Sequence, residues 1–189
     1  EDSLFAFEEG TLHKIDMSVF TVYPKFQEGL RGYGFFNKYL YLLRNNGKFS
    51  RMDLAGKNEV LLLNNPELFQ SLFGKDEFLN IHVLTKDLIL FHTREGQLIG
   101  NRVPYQYVEE GVLGFTFYAK SKKVLLWQKG HLGILDFSEE GEKMIFEKAP
   151  QVQWIYEDGR NIEQAFFAYY GSHVLFLEGN RVYLMEVDA

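Results

Sequence analysis

The chain contains no cysteine, which excludes disulfides, thiolate metal ligands and a thiol nucleophile while leaving the redox compartment open. It has no long hydrophobic run. Its longest apolar stretches, such as Val60 to Leu63 and Val124 to Trp127, are the size of strands and far from the roughly 20 residues that span a bilayer as a helix. No signal-peptide pattern opens it. It also lacks a basic stripe: 20 Lys and Arg stand against 26 Asp and Glu, for a net charge of -6. Phosphate neutralisation needs clustered cations, so nucleic acid and anionic membrane surfaces are poor partners. The acidic pairs Glu8-Glu9, Glu109-Glu110 and Glu139-Glu140 stand close to glycines, as solvated turns do. The first residue is Glu rather than Met, from which an upstream portion is expected.

What is present is apolar and β-favouring. Hydrophobic residues make up 46% and aromatic residues 16%, with 18 Phe, 11 Tyr and 2 Trp, more than a disordered chain carries. At 189 residues the chain is long enough to bury a core as one domain. One pattern recurs from end to end: a strand, a tight turn, a second strand and then, in most copies, an aspartate. It reads LFAFEEGTLHKID, LYLLRNNGKFSRMD, LILFHTREGQLIGN, VLLWQKGHLGILD and VLFLEGNRVYLMEVD. The turn glycines Gly10, Gly47, Gly96, Gly130 and Gly179 lie about 37, 49, 34 and 49 residues apart, close to the spacing of propeller blades. Turns such as Asn46-Gly47, Glu95-Gly96 and Glu178-Gly179-Asn180 supply residues that tolerate positive φ.

The expected fold is an all-β propeller of four-stranded antiparallel blades. Five repeat units are placed at about 1–30, 31–78, 79–114, 115–158 and 159–189, as a closed five-bladed ring or part of a larger one. In the best-defined unit the strands read Phe35 to Phe36, Tyr39 to Arg44, Lys48 to Asp53 and Glu59 to Leu63. Runs apolar on both faces, such as Val124 to Trp127, are expected as inner strands packed between blades. The first unit lacks its leading strand and the last its closing one. One segment departs from the β pattern: Asn65 as N-cap, Pro66 at the first helical position and Gly74 beyond the end predict a short helix over 66–73. Its Leu68/Leu72 and Phe69/Phe73 face is expected to pack against the strands.

The segments Gly159 to Phe167, Ser172 to Phe176 and Val182 to Glu186, together with Gly133 to Phe137, Asn101 to Tyr105 and Tyr41 to Asp53, give the chain a likeness that covers most of its length. It resembles the C-terminal propeller region of bacterial PEGA-domain-containing proteins. That resemblance implies an extracytoplasmic or cell-surface protein tethered by an upstream membrane helix, with a PEGA β-domain before the propeller. It implies no activity, cofactor or catalytic residue.

No catalytic constellation stands apart from the repeat. Asp16, Asp53, Asp136 and Asp188 recur at strand ends and read as turn acids rather than a calcium ring, because no D-x-D-x-D run accompanies them. The histidines His13, His82, His92, His131 and His173 form no i, i+4 pair and no H-E-x-x-H motif. Gly171-Ser172-His173 is not a nucleophile elbow, and Gly32-Tyr33-Gly34 fails the phosphate-loop pattern after its second glycine. No metal or cofactor is implied. Candidate partner-binding residues are Arg102, Tyr105 and Tyr107 in one segment and Trp154 and Tyr156 in another, since tyrosine, tryptophan and arginine anchor interfaces; Trp127 is assigned to the core. The expected role is a non-enzymatic interaction or scaffold module of the bacterial cell envelope that binds a protein, peptide or polysaccharide through its loops. Alternatives are a glycan hydrolase or lyase using axial carboxylates and a self-assembling surface or filament subunit using unpaired strands.

Overall fold

The computed structural model describes residues 3–73, 78–101, 106–138 and 151–187, with the side chains of Phe73, Gln106 and Tyr107 also outside the description. The chain separates into two compact units, Glu1–Arg94 and Glu95–Ala189. Both are built chiefly of antiparallel strands, and among the described residues their sheets are open.

In the first unit, β1 (Ser3–Glu8), β2 (Thr11–Asp16) and β3 (Thr21–Gln27) form a three-stranded sheet. The two-residue turn between β1 and β2 places Glu9 at φ 45 and Gly10 at φ 77, as a type I′ hairpin requires. Next come β4 (Leu30–Phe36), β5 (Tyr39–Arg44), β6 (Lys48–Asp53), β7 (Val60–Asn64), α1 (Pro66–Phe73), β8 (Leu79–Val83) and β9 (Ile89–Thr93). Their sheet runs in the order β9-β8-β4-β5-β6-β7. Strands β4 to β7 are the four antiparallel strands expected of one repeat, with β4 longer than its sequence signal.

The pairing of β4 with β8 is parallel, Gly32 opposite Leu79 and Tyr33 opposite Asn80. This contact explains Gly32-Tyr33-Gly34. A Cβ on Gly32 would overlap the Leu79 carbonyl, and one on Gly34 the Ile81 carbonyl, so the two glycines let one backbone lie against the other.

Two cores hold this unit. Leu12, Leu30, Leu40, Leu42 and Met52 join the β1–β3 sheet to β4–β6, with Phe5, Phe7, Phe26 and Tyr33 packed around them. On the other face Phe49 and Phe91 meet at 5.5 Å between ring centroids, and Phe69 of α1 lies 5.8 Å from Phe91. The helix therefore packs through a fully buried Phe69. Its start is fixed as the sequence predicts: the Leu68 amide donates to Asn65 Oδ1 at 3.0 Å, satisfying one of the orphan donors of the first turn. A polar clamp completes the unit. Arg44 donates to the Glu28 carbonyl (3.2 Å) and to Gln27 Oε1 (2.8 Å), while Glu59 accepts from the buried Ser50 hydroxyl (2.7 Å) and pairs with Lys48 (3.1 Å).

In the second unit β10 (Leu98–Gly100) pairs with β11 (Gln106–Glu109). Strands β12 (Gly114–Tyr118), β13 (Lys123–Trp127), β14 (Leu132–Asp136) and β15 (Gln153–Tyr156) form a four-stranded sheet. Strands β16 (Ile162–Ala168), β17 (His173–Glu178) and β18 (Arg181–Glu186) form a three-stranded one. Val124 to Trp127 are buried throughout, Trp127 included. Leu125, Trp127, Leu132 and Ile134 pack with Ile162, Ala165, Val174 and Phe176 to make the core between these two sheets.

A single device recurs at the hairpin turns. The carbonyl of Gly10 accepts from the Leu30 amide (2.9 Å), that of Gly96 from Val112 (2.9 Å) and that of Gly130 from Gly159 (3.0 Å). Each bond ties a turn to the chain entering the following sheet. Gly47 occupies the equivalent turn, and a Cβ there would overlap Pro66. Gly130 is not in the left-handed region, unlike Gly10, Gly47, Gly96 and Gly179; its glycine is required by the approach of Gly159 instead.

These geometries separate two effects. Gly47 sits at φ 75 against Pro66, whereas Gly179 sits at φ 57 with nothing near its Cβ position. We expect Gly179→Ala to lower stability by about 1 kcal/mol through backbone strain alone. Gly47→Ala should cost about 2–4 kcal/mol, because overpacking adds to strain. Equal losses in denaturant unfolding would contradict this account.

Candidate functional site

Of the five candidate residues, Arg102 and Tyr105 lie outside the described residues. Tyr107 is placed by its backbone in β11, opposite Ile99, and its side chain also lies outside them. Trp154 and Tyr156 stand in β15. Trp154 pairs with Gly133, whose missing side chain makes room for the indole, and its ring centroid is 5.5 Å from that of His131. The Tyr156 ring lies 5.1 Å from Phe176 and packs, partly buried, on the core of the second unit. Partly buried Trp154 also borders a cavity of about 280 Å³ with Lys123, Asp136 and Glu186.

The loop after Tyr156 leads to an open cleft of about 660 Å³. Gly111, Gly130 and Gly159 are among its lining residues, and the Gly159 amide donates to the Gly130 carbonyl at 3.0 Å. Gln128 Nε2 donates to the Glu110 carbonyl at 2.6 Å, and Glu109 accepts from the Glu110 amide at 3.1 Å. Lys129, His131 and Arg160 also line the cleft. The Arg160 amide donates to the Glu178 carboxylate, and the Ile162 amide to the Lys129 carbonyl at 2.9 Å. These backbone bonds fix the loop while the Lys129 and Arg160 side chains make no ion pair among the described residues. The volume falls in the range of ligand sites. In the sequence Glu109 reads only as a turn acid and His131 only as one of five scattered histidines, and nothing singles out Gln128, Lys129 or Arg160. The turn glycine Gly130 was the available signal, but its partner Gly159 is distant in sequence.

The recurrent aspartates close turns, as the sequence predicts. Asp16 Oδ1 accepts from the Ser18 hydroxyl (2.6 Å) and amide (3.0 Å). Asp53 accepts from the amides of Lys57 (2.8 Å) and Ala55 (3.0 Å) and from Asn58 Nδ2 (2.8 Å). Asp136 accepts from the Ser138 amide (2.7 Å), and Asp188 lies outside the described residues. The Ser18 hydrogen bonds hold Asp16, and the Lys57 amide with Asn58 holds Asp53, below their usual carboxylate range. No group of three or more potential metal ligands gathers among the described residues.

The hairpin between β16 and β17 was not anticipated. Tyr169 and Tyr170 take φ 45 and 61, followed by Gly171 at φ 91, and their side chains are 66% and 88% exposed. Ser172 Oγ donates to the Tyr169 carbonyl (2.8 Å) and lies 2.9 Å from His173 Nδ1. Its single hydrogen is engaged in closing the turn, and no carboxylate is hydrogen-bonded to His173 among the described residues.

No known protein family matches the chain, and no curated protein does. Among solved structures it is similar to the computationally designed Ika8 protein, at 10% identity and a TM-score of 0.51 over 97% of this chain and 57% of that one. It is likewise similar to the N-terminal domain of Nup159 (10%, TM-score 0.53, 98% and 63%) and to BamB from Moraxella catarrhalis (12%, TM-score 0.50, 93% and 51%). The chain spans about half to three-fifths of the length of such structures. At these identities the likeness shows the fold alone, an all-β architecture of the propeller type.

Histidine supplies a further titrating element in the first unit. The rings of His82 and His92 lie 6.4 Å apart, and burial, reinforced by His92, pushes His82 down to about 4. The unfolded chain returns it to 6.5 and so binds an extra proton between these values. Stability is therefore expected to fall from about pH 6.5 to about pH 4, by at most about 3 kcal/mol, and this contribution saturates below. Asp16 and Asp53 act in a lower window: their contribution is complete above 3.8 and is lost as pH falls through their depressed folded values. Denaturant unfolding across pH checks this, with His82→Gln flattening the upper window only; an unchanged slope in that variant would refute the assignment.

Proposed function

We propose that the protein is a non-enzymatic interaction module, a propeller-type scaffold whose repeat units form blades and whose loops hold a protein or peptide partner. The supporting observation is the cleft lined by Glu109, Glu110, Lys129 and Arg160. Its backbone is locked by hydrogen bonds between turns, and its side chains are donors and acceptors with no activated nucleophile among them. A cleft lined by both carboxylates and cationic side chains, with glycine backbone among its lining, suits an extended peptide, which offers main-chain groups and charges of both signs. Placement at the bacterial cell surface, through an upstream anchor, follows from the resemblance to PEGA-domain-containing proteins and is part of the same proposal.

The test is a peptide-library screen with the purified chain, repeated with the double variant Lys129→Glu, Arg160→Glu. Binding should fall at least about tenfold with an unchanged melting temperature. Turnover in a general hydrolase panel, or peptide binding indifferent to the double variant, would overturn the reading.

A second reading, self-assembly, is favoured by β7. This edge strand is uncharged, and Val60, Leu61 and Leu62 are 46%, 51% and 42% exposed. It lacks the charges and prolines that guard sheet edges. Sedimentation should then show concentration-dependent dimers that Leu61→Lys abolishes; a monomer at high micromolar concentration excludes it.

A further inference from the structure

We propose that the adjoining β12–β13 and β16–β17 turns form an aromatic and cationic platform for an acidic polysaccharide. Tyr169 and Tyr170 stack on sugar rings, and Lys120 pairs with a uronate carboxylate. The proposal goes beyond the cleft and rests on separate residues.

The first argument is conformational. Left-handed backbone is disfavoured for residues with a Cβ, and bulky side chains seldom adopt it. Here two consecutive tyrosines do so, and neither is compensated by burial, since both rings stand largely in solvent. Strain of this kind persists when the surroundings over-determine it, and it concentrates at sites that bind. The surroundings do over-determine it. Gly171 is seated against the Tyr118 ring, where a Cβ would come within 2.9 Å of Cε1. Tyr118 in turn rests on Phe167 at 5.8 Å between centroids. The Tyr169 ring meets His173 edge-on at 5.0 Å, and the Ser172 hydroxyl closes the turn on the Tyr169 carbonyl. The turn that carries the two rings is therefore braced from beneath, and the Tyr169 ring is set against His173, so less backbone ordering remains to be done on binding.

The second argument is electrostatic. Lys120 Nζ lies 5.3 Å from the Tyr170 ring centroid, within cation–π range. The β12–β13 turn carries Lys120 and Lys122, and neither turn contains a carboxylate. Neither lysine makes an ion pair among the described residues. Among the described residues, the acids that the strand registers bring beside these turns, Asp136 and Glu186, sit opposite Lys123 and His173. In a chain of net charge -6 the two turns themselves carry only positive charge, beside two exposed aromatic side chains.

The occupant follows from shape and charge together. Flat exposed rings at a turn tip match the C–H faces of pyranoses, and a neighbouring ammonium matches a carboxylate on the same sugar. A bound peptide uses a sheet edge, a groove or a pocket, and a turn tip provides none of these. Single-stranded nucleic acid also stacks on aromatic rings, but it calls for a cationic groove along its backbone, and two lysines do not make one.

The test is calorimetric titration of the full chain with hexagalacturonate, neutral cellohexaose and a poly-glutamate peptide. We expect hexagalacturonate to bind with an affinity that weakens as salt is raised, and to bind more tightly than either comparator. Tyr170→Ala and Lys120→Gln should each weaken it about tenfold. Tyr170→Gly relieves the backbone strain, so its melting temperature should hold or rise while affinity falls. The cleft variant Lys129→Glu, Arg160→Glu should bind hexagalacturonate normally, which separates this proposal from the preceding one. Absence of binding at millimolar hexagalacturonate would overturn it. So would equal affinity in the tyrosine and lysine variants, or poly-glutamate binding as tightly.

Discussion

A hydrogen bond from the backbone amide that enters one sheet to the carbonyl of a glycine in the preceding hairpin turn organises both units. Gly10 with Leu30, Gly96 with Val112 and Gly130 with Gly159 repeat it, and Gly47 against Pro66 does the equivalent by close packing. Strand pairing within a sheet settles register but says nothing about where the next sheet begins. The turn-to-entry bond supplies that missing constraint. It also explains why the marker of the repeat is glycine even at Gly130, where the backbone does not demand it: a side chain would stand where the incoming chain must pass.

The same bond prepares the cleft. Because Gly159 is pinned to Gly130, the loop carrying Arg160 is held beside the turn carrying Lys129 and His131. At the hairpin ends away from such bonds the chain uses aromatic contacts instead, with Tyr118 under Gly171 and Phe167 under Tyr118. In the second unit one kind of end thus presents polar groups with glycine backbone among them, and the other presents exposed rings.

Much of the fold was legible because its signals are local. The hairpin of β5 and β6 was delimited to the residue by Asn46-Gly47 between alternating runs, and α1 by Asn65, Pro66 and the apolar Leu68 and Phe69. The turn role of Asp16, Asp53 and Asp136 follows from their place at strand ends. What escaped was non-local. Nothing near Gly32-Tyr33-Gly34 announces β8, so in sequence the glycines resemble only a failed phosphate loop, whereas the fold sets Leu79 and Ile81 against them. Glu59 reads in sequence only as the first residue of a strand, yet its carboxylate accepts from a buried serine. The exposed Tyr169-Tyr170 pair escaped because aromatic residues in a strand-rich sequence are ordinarily core, and only backbone angles reveal that these two are turned out. Tyr156, an interface-type residue in sequence, has its ring partly buried against Phe176.

The parallel contact between β4 and β8 has a kinetic meaning. Every other strand pairing in the first unit joins neighbours along the chain, whereas this one closes across β5, β6, β7 and α1. Loop-closure entropy must be met before such a contact returns any free energy. The hairpins of this unit can therefore form early and independently, and the step that merges them into one cooperative body is the docking of two backbones at a pair of glycines.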